Sequence, residues 1–367
     1  MIPLSTPDLR GREKEYLARC VDDNWVSTAG PFVTDIEQRV AKMCDASFAV
    51  ATVNGTTALQ IALTAAGVKP GDHVVVPDWT FAATVNAIIH AGGIPVFVDI
   101  SEENLTLSVN ATRSAFKALG NKIRAVVAVH VLGRAPNMVA LQAICEKHGA
   151  LLIEDAAGAF GAHAHGRAAG CYGDAGIFSF NGNKIATAGG GGMIVTDDEG
   201  IAKRARHLCQ QSRVGKDYVH DDVGFNYRMT NVNAAIGLAQ LERLDEMKAR
   251  RLQIQRRYDD ALFPSNVNTP LPTASWDEPY CWLYSIKCGE PATAAALAQY
   301  LMFNNIESRV FWRALSGQKP YAKYRRFGER VADSVSGCIV SLPCSSHLTD
   351  ADQDTVITTL KAWDRAA

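Results

Sequence analysis

The chain has 367 residues, of which 47% are hydrophobic and 20% are charged. This length and composition fit a globular enzyme of about two domains with a large core. Its 37 Lys and Arg residues nearly balance the 38 Asp and Glu residues, and the net charge is -1. Because no basic block could neutralise a phosphate backbone, the composition argues against nucleic acid as a partner.

The chain begins without the basic and apolar segments of a signal peptide, and its apolar runs are too short or too interrupted to span a bilayer. The nine cysteines form no CxxC pair and are odd in number. That usage favours reduced, buried thiols over a disulfide framework or a zinc site. We therefore expect a cytoplasmic protein, and we assign the cysteines no function.

Apolar, strand-like runs alternate with helical patterns through most of the chain. The predicted strands are residues 48–53, 73–77, 94–100, 125–129, 150–153, 175–180 and 192–195. This alternation predicts an α/β fold with a mostly parallel sheet covered by helices. Ligands of such sheets bind beyond the carboxyl ends of the strands. Asn54, Phe81, His130 and Asp155 each fall just after a predicted strand.

The last third of the chain has a different pattern. A long helical pattern at residues 233–258 precedes Pro264, Pro270, Pro272 and Pro279, which mark a boundary region. Beyond it, strands are expected near residues 281–288, 306–310 and 337–342, and helices near 292–303 and after 349. We predict a large domain at residues 1–245, including an N-terminal arm, and a small α+β domain at residues 246–367.

A turn of Asn54, Gly55, Thr56 and Thr57 joins the first predicted strand to a helix. The N–H groups and hydroxyls at such a helix start can bind a phosphate. The same residues also fit an ordinary helix cap by Asn or Thr. The turn alone does not separate the two interpretations.

Glu154 and Asp155 close a predicted strand, where a buried carboxylate needs a cationic partner. Asp155 could keep a ring nitrogen protonated, or it could cap the following segment, and both interpretations stay open. His163 and His165 follow at alternate positions. Two histidines without a further ligand are a weak metal signal, so we interpret them as polar loop residues.

The stretch from Phe178 to Lys184 (FSFNGNK) is followed by four glycines at residues 189–192. A lysine between an apolar run and glycines can lie against a buried pocket, where burial lowers its pKa and frees the amine to attack a carbonyl. A solvated loop lysine beside a glycine hinge is the alternative. The chain contains neither GxGxxG nor GxxxxGK[ST], so the common nucleotide-binding loops lack support.

Four stretches in this order resemble the DegT/StrS sugar aminotransferases: residues 54–59 (NGTTAL), 77–81 (PDWTF), 154–157 (EDAA) and 178–184 (FSFNGNK). The likeness continues through residues 224–230 (GFNYRMT) and 234–237 (AAIG), so it covers nearly the whole chain. It implies a fold-type I, aspartate aminotransferase-like enzyme that uses pyridoxal 5'-phosphate. Such an enzyme has a seven-stranded, mostly parallel sheet in its large domain and is a homodimer with shared active sites.

The resemblance also implies roles for individual residues. Lys184 matches the lysine that holds the cofactor as a Schiff base, and Asp155 matches the acid paired with the pyridine nitrogen. Phe81 matches the aromatic residue that stacks on the ring. The remaining matches to cofactor-binding residues are Asn54, Gly55, Thr56, Ser179 and Asn226, the last of which reaches the phosphate in the partner subunit.

The implied reaction is a ping-pong transfer of an amino group from L-glutamate to C4 of a nucleotide-linked 4-keto-6-deoxy sugar, for surface-glycan sugar biosynthesis. Among the family members that this chain resembles, those with a UDP-linked, N-acetylated substrate are favoured. A GDP-linked 4-keto-6-deoxymannose, as in perosamine synthesis, is the alternative. Guanidinium groups suit diphosphates and carboxylates, and the candidate substrate contacts are Arg213, His220, Arg228, Arg309 and Trp312.

Two glycines depart from the family pattern. Relatives often carry Gln, His or Glu at the position of Gly158, near the cofactor's phenolic oxygen, so a water or another residue must act there. Gly190 stands where many relatives have Glu. A dehydratase of the same fold would carry His in place of Lys184. A cofactor-binding regulator without turnover is the alternative from another class.

Overall fold

The computed structural model describes residues 1–265, 268–278 and 281–366, so Pro279 and Ala367 lie outside the described residues. The helices of the described part are α1 (Glu13–Asp22), α2 (Pro31–Cys44), α3 (Gly55–Ala65), α4 (Ala82–His90), α5 (Val109–Leu119), α6 (Met138–His148), α7 (Glu199–Cys209), α8 (Asn231–Glu242), α9 (Leu244–Leu262), α10 (Pro291–Phe303), α11 (Val331–Val335) and α12 (Asp350–Ala366). Across these described ranges, none of the helices combines the length and apolar composition needed to cross a lipid bilayer.

The strands are short and distributed along the whole chain. In the described residues they are β1 (Phe48–Thr52), β2 (His73–Pro77), β3 (Ile94–Val98), β4 (Ile123–Val129), β5 (Leu151–Asp155), β6 (His163–Ala164), β7 (Arg167–Ala168), β8 (Ala175–Ser179), β9 (Gly192–Thr196), β10 (Arg213–Val214), β11 (Val219–His220), β12 (Asn268–Pro270), β13 (Asp277–Glu278), β14 (Ser285–Cys288), β15 (Arg309–Phe311), β16 (Arg326–Phe327) and β17 (Ile339–Ser341).

The central sheet has the strand order β1-β9-β8-β5-β4-β2-β3-β16. Neighbouring strands pair in parallel, except that β9 is antiparallel to both β1 and β8. Its strands are rich in Val, Ile and Ala and are buried along nearly their whole length, as expected for a sheet covered by helices on both faces. The predicted α/β fold is confirmed, and the two-residue β16 adds an eighth strand to the seven predicted.

One edge of this sheet collects the residues that the sequence places after strands. Because β1 and β8 both run opposite to β9, the carboxyl ends of β1, β2, β4, β5 and β8 meet at the same edge. Helix α3 begins directly after β1 and packs against β8 and β9. Its N-terminus therefore lies at this edge, beside the loop that carries Lys184.

The C-terminal part of the chain forms a second sheet with the order β12-β14-β17-β15, antiparallel throughout. Helix α9 leads to it, and α10 packs against its strands. Two short segments return to the N-terminal part, since β16 pairs with β3 and β13 pairs with β6. The domain boundary at residue 245 stays a prediction.

Two helical segments differ from the sequence prediction. Helix α5 is not among the predicted helices, although its buried residues Ala111, Thr112, Ala115 and Phe116 recur at helical spacing. The single helix predicted at residues 233–258 is wrong, since α8 and α9 are separated at Arg243. Arg243 leaves helical geometry with φ -110° and ψ 9°, and its guanidinium binds Asp8 at 3.2 Å and Glu246 at 2.8 Å.

Candidate active site

The start of α3 and the end of β8 line one end of a cavity with Gly55, Thr56 and Ser179, a group that we call the phosphate cup because its donors suit an anion. Asn54 caps the helix, because its side-chain oxygen accepts a hydrogen bond from the Thr57 N–H at 2.9 Å. The first N–H groups of a helix have no intrahelical partner and suit an anion. The cup is tight, since a Cβ at Gly55 would lie 2.9 Å from the Ser179 Cβ. The turn therefore caps its helix and also presents donors to the cavity.

Asp155, the last residue of β5, lines the same cavity and is 7% exposed. The Thr84 hydroxyl donates to its Oδ2 at 2.7 Å, and the Ala157 N–H donates to its Oδ1 at 3.2 Å. The Thr84 hydroxyl also shares a hydrogen bond of 3.0 Å with the Thr80 hydroxyl. These donors orient the carboxylate toward the cavity, where it can pair with a protonated ring nitrogen.

Glu154, the neighbouring acid, is occupied by protein contacts. Its carboxylate accepts hydrogen bonds from the backbone N–H groups of Gly170 at 2.9 Å and Gly173 at 2.8 Å, and from His130 Nε2 at 2.8 Å. Both side chains of the His130–Glu154 pair are fully buried. Glu154 therefore stabilises the surrounding loops and leaves Asp155 as the acid that faces the cavity.

Lys184 lies in the tight loop between β8 and β9. Its backbone N–H donates to the Asn181 carbonyl at 3.0 Å, and the loop base is closed by hydrogen bonds from Phe180 to Gly191 and from Ala188 to Phe180. Although the residue as a whole is half-buried, its amine is enclosed. Burial lowers the pKa of Lys184 to about 7, and the Asp155 carboxylate opposes the shift. The amine therefore titrates near neutral pH, unlike a solvated loop lysine.

Aromatic residues line the mouth of the cavity. Phe81 stands at the N-terminus of α4 and is 61% exposed, so one face of its ring is open to a flat ligand. Trp312 lies 6.3 Å from Phe81 and 5.4 Å from the buried Trp79, between ring centroids. Arg309 and Phe311 of β15 complete this wall. The cavity volume is about 590 Å³, within the range of small-molecule sites.

Most of the predicted site residues meet in this one cavity. They are Asn54, Gly55, Thr56, Phe81, Asp155, Ser179, Lys184, Arg309 and Trp312. The remaining four do not line it. Arg213 and His220 lie on the exposed hairpin of β10 and β11. The backbone of Arg228 pairs with that of Thr52 in an isolated antiparallel β-bridge. Asn226 is exposed. A second cavity of similar volume, around Arg134, contains neither Lys184 nor Asp155.

The two glycines that depart from the family pattern have different surroundings. A Cβ at Gly158 would lie 2.6 Å from Cε3 of Trp282, so an indole ring fills the space beside it. A Cβ at Gly190 would meet the carbonyl oxygen of Val53 at 3.7 Å, which is an ordinary contact. Position 190 therefore has room for a side chain, whereas position 158 does not.

Sequence reasoning does not identify two of the cavity residues, Thr84 and Trp282. Thr84 follows Phe81 by one helical turn, and that spacing could have indicated that it shares the cavity-facing side of α4. Trp282 has no local signal, because it lies 99 residues from Asn183, whose carbonyl accepts its indole N–H at 2.9 Å.

The cavity offers a suitable partner for each reactive group of a cofactor that carries a phosphate, an aldehyde and a ring nitrogen. The phosphate cup suits the phosphate, Lys184 suits the aldehyde, and Asp155 suits the ring nitrogen. Together with the central sheet, this arrangement defines a fold-type I transferase that uses pyridoxal phosphate. The chain belongs to the DegT/DnrJ/EryC1/StrS aminotransferase family, whose model matches residues 7–361. The family predicted from the sequence motifs is confirmed.

Several relatives of named function agree with this class. The chain is 36% identical over 363 residues to GDP-perosamine synthase of Caulobacter vibrioides, covering 98% of this chain and 97% of the relative. It is 39% identical over 315 residues to GDP-perosamine synthase of Vibrio cholerae, covering 85% of each. A solved DegT DnrJ EryC1 StrS aminotransferase from Brucella abortus has a TM-score of 0.90 at 28% identity, covering 96% of this chain and 95% of that chain. The protein is a pyridoxal-phosphate-dependent aminotransferase of this family.

Proposed function

We propose that this protein transfers the amino group of L-glutamate to C4 of GDP-4-keto-6-deoxymannose. The observation that carries the proposal is the likeness, at 36% and 39% identity over most of the chain, to two relatives named GDP-perosamine synthase. This likeness favours the GDP-linked alternative over the UDP-linked, N-acetylated substrate that the motif resemblance favours.

The described residues divide the chemistry among themselves. Bound pyridoxal phosphate supplies an electron sink for the carbon that carries the amino group. The N–H groups of Gly55 and Thr56 and the Ser179 hydroxyl hold the phosphate, and Asp155 keeps the ring nitrogen protonated. Lys184 Nζ would take the proton from the amino-bearing carbon of the donor and deliver it to the carbon of the cofactor that receives the nitrogen, because an amine whose pKa is about 7 can act as base and as acid at neutral pH.

Arg309 is the cation that we assign to the substrate diphosphate. It lines the mouth of the cavity, its side chain is 60% exposed, and its guanidinium lies 3.9 Å from the Glu307 carboxylate, a long and weak pairing. Guanidinium groups bind phosphate oxygens through paired donors. Trp312, next to it in the same wall, offers an aromatic face to the sugar or the base.

We also propose a homodimer in which Asn226 reaches the phosphate cup of the partner subunit. In its own subunit Asn226 is exposed and does not line the cavity. The hairpin of β10 and β11 and the residues after it expose apolar side chains, with Tyr218 at 89% and Val223 at 82%. Exposed apolar groups clustered in one segment are typical of a protein interface.

The test of the substrate is a direct comparison of kcat/KM with L-glutamate as donor. GDP-4-keto-6-deoxymannose and a UDP-linked, N-acetylated 4-keto-6-deoxy sugar are assayed with the same purified enzyme. We expect a preference of at least about 10-fold for the GDP-linked sugar, since a site built around one base leaves polar groups unpaired with the other. A preference for the UDP-linked sugar would restore the first alternative. Cofactor binding without turnover of either sugar would favour a regulator.

A further inference from the structure

Trp282 enters the active site from the C-terminal part of the chain and is fixed at several points. Its indole N–H donates to the carbonyl oxygen of Asn183, the residue before Lys184, at 2.9 Å. Its own carbonyl oxygen accepts a hydrogen bond from the buried guanidinium of Arg251 and another from the Cys344 thiol at 3.5 Å. The residue is 6% exposed. Its ring therefore has little freedom to leave its place.

One face of this ring lies against the lysine amine, with Lys184 Nζ 3.5 Å from the ring centroid. An aromatic face attracts a cation, more strongly when the pair is shielded from water. Asp155 of β5 is the acid that acts on the same amine, while His130, after β4, and Arg309, on β15, line the cavity around it. Trp282 thus provides an uncharged contact that favours the ammonium form.

The same ring explains why position 158 is a glycine. A Cβ at Gly158 would lie 2.6 Å from Cε3 and 2.9 Å from Cζ3 of Trp282. Carbon atoms that close force one of the groups to move. The glycine and the indole are therefore a matched pair, since the missing side chain at Gly158 admits the ring that contacts Lys184.

We propose that Trp282 is the positioning residue for Lys184, and that it occupies the space that a side chain at position 158 would otherwise take. Its ring face holds the amine, and its indole N–H fixes the loop on which the lysine stands. The inference rests on the proposed function only because that function gives Lys184 its role. The contact itself can be measured in protein free of cofactor and substrate, so its failure is distinguishable from a failure of the sugar assay.

The test is the pKa of the Lys184 amine in cofactor-free protein. It is obtained from the pH dependence of acetylation by acetic anhydride, quantified by mass spectrometry of the peptide that contains Lys184. Trp282→Phe keeps an aromatic face, whereas Trp282→Leu keeps apolar bulk without one. The pKa should be lower in the Leu variant than in the Phe variant by about half a unit or more. Equal values, or a higher value with Leu, would overturn the proposal.

A double-mutant cycle tests the matched pair. Gly158→Ala should push the indole away and lower the pKa of Lys184, but it should change nothing further in the Trp282→Leu background. Equal effects in both backgrounds would show that the ring does not transmit the change. Trp276→Phe is the matched control, because Trp276 stacks on His165 outside the cavity, and it should leave the pKa unchanged. Circular dichroism of each variant verifies that it is folded.

Discussion

At the scale of single residues, the two central side chains of the site have different surroundings. Burial lowers the pKa of Lys184 to about 7, which suits a group that must both take and return a proton. Asp155 instead accepts hydrogen bonds from the Thr84 hydroxyl and the Ala157 N–H, which hold its carboxylate in one orientation at the cavity wall. Groups in one cavity acquire separate tasks because their environments differ.

Asp155→Asn should lower kcat by roughly 10²- to 10⁴-fold, because it keeps the size of the side chain but removes the negative charge opposite the ring nitrogen. The measurement is steady-state amination of the GDP-linked keto-sugar with glutamate. Thr84→Val removes a group that only orients the carboxylate, so its loss should be smaller. An Asp155→Asn enzyme as fast as wild type would show that this carboxylate is not needed.

Local sequence predicts these two residues but not their surroundings. Lys184 and Asp155 stand in short motifs next to strand ends, so their neighbours along the chain indicate their role. Trp282 reaches Lys184 from a segment of the chain 99 residues away from Asn183. Such a contact depends on how the C-terminal part packs against the central sheet, so the residues next to Trp282 in the sequence do not predict it.

At the scale of elements, the phosphate cup depends on how closely α3 approaches β8. The absent side chain at Gly55 makes this possible, since a Cβ there would lie 2.9 Å from the Ser179 Cβ. The helix N-terminus can then lie directly beside the strand end. Helix α3 follows β1, and β8 is itself a strand of the same sheet, so the sheet fixes their relative position.

Gly55→Ala should therefore weaken pyridoxal phosphate binding by about 10-fold or more, because displacing the cup loses at least one hydrogen bond to a charged phosphate. The dissociation constant is measured by absorbance titration of cofactor-free protein. Gly289→Ala is the control, as a Cβ at this exposed glycine meets nothing within 4 Å. Equal affinity in both variants would contradict the role of the close approach.

Element prediction from the sequence succeeds where burial is uniform. The predicted strand at residues 73–77 coincides with β2, and the predicted strand at residues 192–195 falls within β9. The break between α8 and α9 at Arg243 has no proline or glycine that would predict it from the sequence. It occurs where the Arg243 guanidinium pairs with the distant Asp8. The antiparallel direction of β9 and the pairing of β16 with β3 are likewise set by tertiary contacts.

At the scale of the whole molecule, the proposed dimer makes each site depend on two subunits. Asn226 lies outside its own cavity, so its predicted contact with the phosphate requires a partner copy. Two inactive variants should then complement each other. A Lys184→Ala subunit supplies Asn226, and an Asn226→Ala subunit supplies Lys184, so one site of each mixed dimer has both residues.

Co-expression of Lys184→Ala and Asn226→Ala chains should restore activity in about one of every two sites of the mixed C2 dimers, which carry one chain of each kind. The measurement is specific activity after purification through two different tags, compared with each variant alone. Sedimentation velocity reports the oligomeric state of every sample. If the mixed dimers are no more active than the better of the two variants alone, Asn226 does not act in the site of the partner subunit, and this would contradict the proposal.

The most direct test of the central claim is nitrogen transfer from glutamate labelled with ¹⁵N. Purified enzyme is incubated with pyridoxal phosphate, the labelled donor and GDP-4-keto-6-deoxymannose, and the sugar nucleotide is analysed by mass spectrometry. We predict ¹⁵N at C4 of the product with wild type and none with Lys184→Ala. A labelled product that forms equally well without Lys184, or no labelled product from wild type with any nucleotide-linked keto-sugar, would contradict the account.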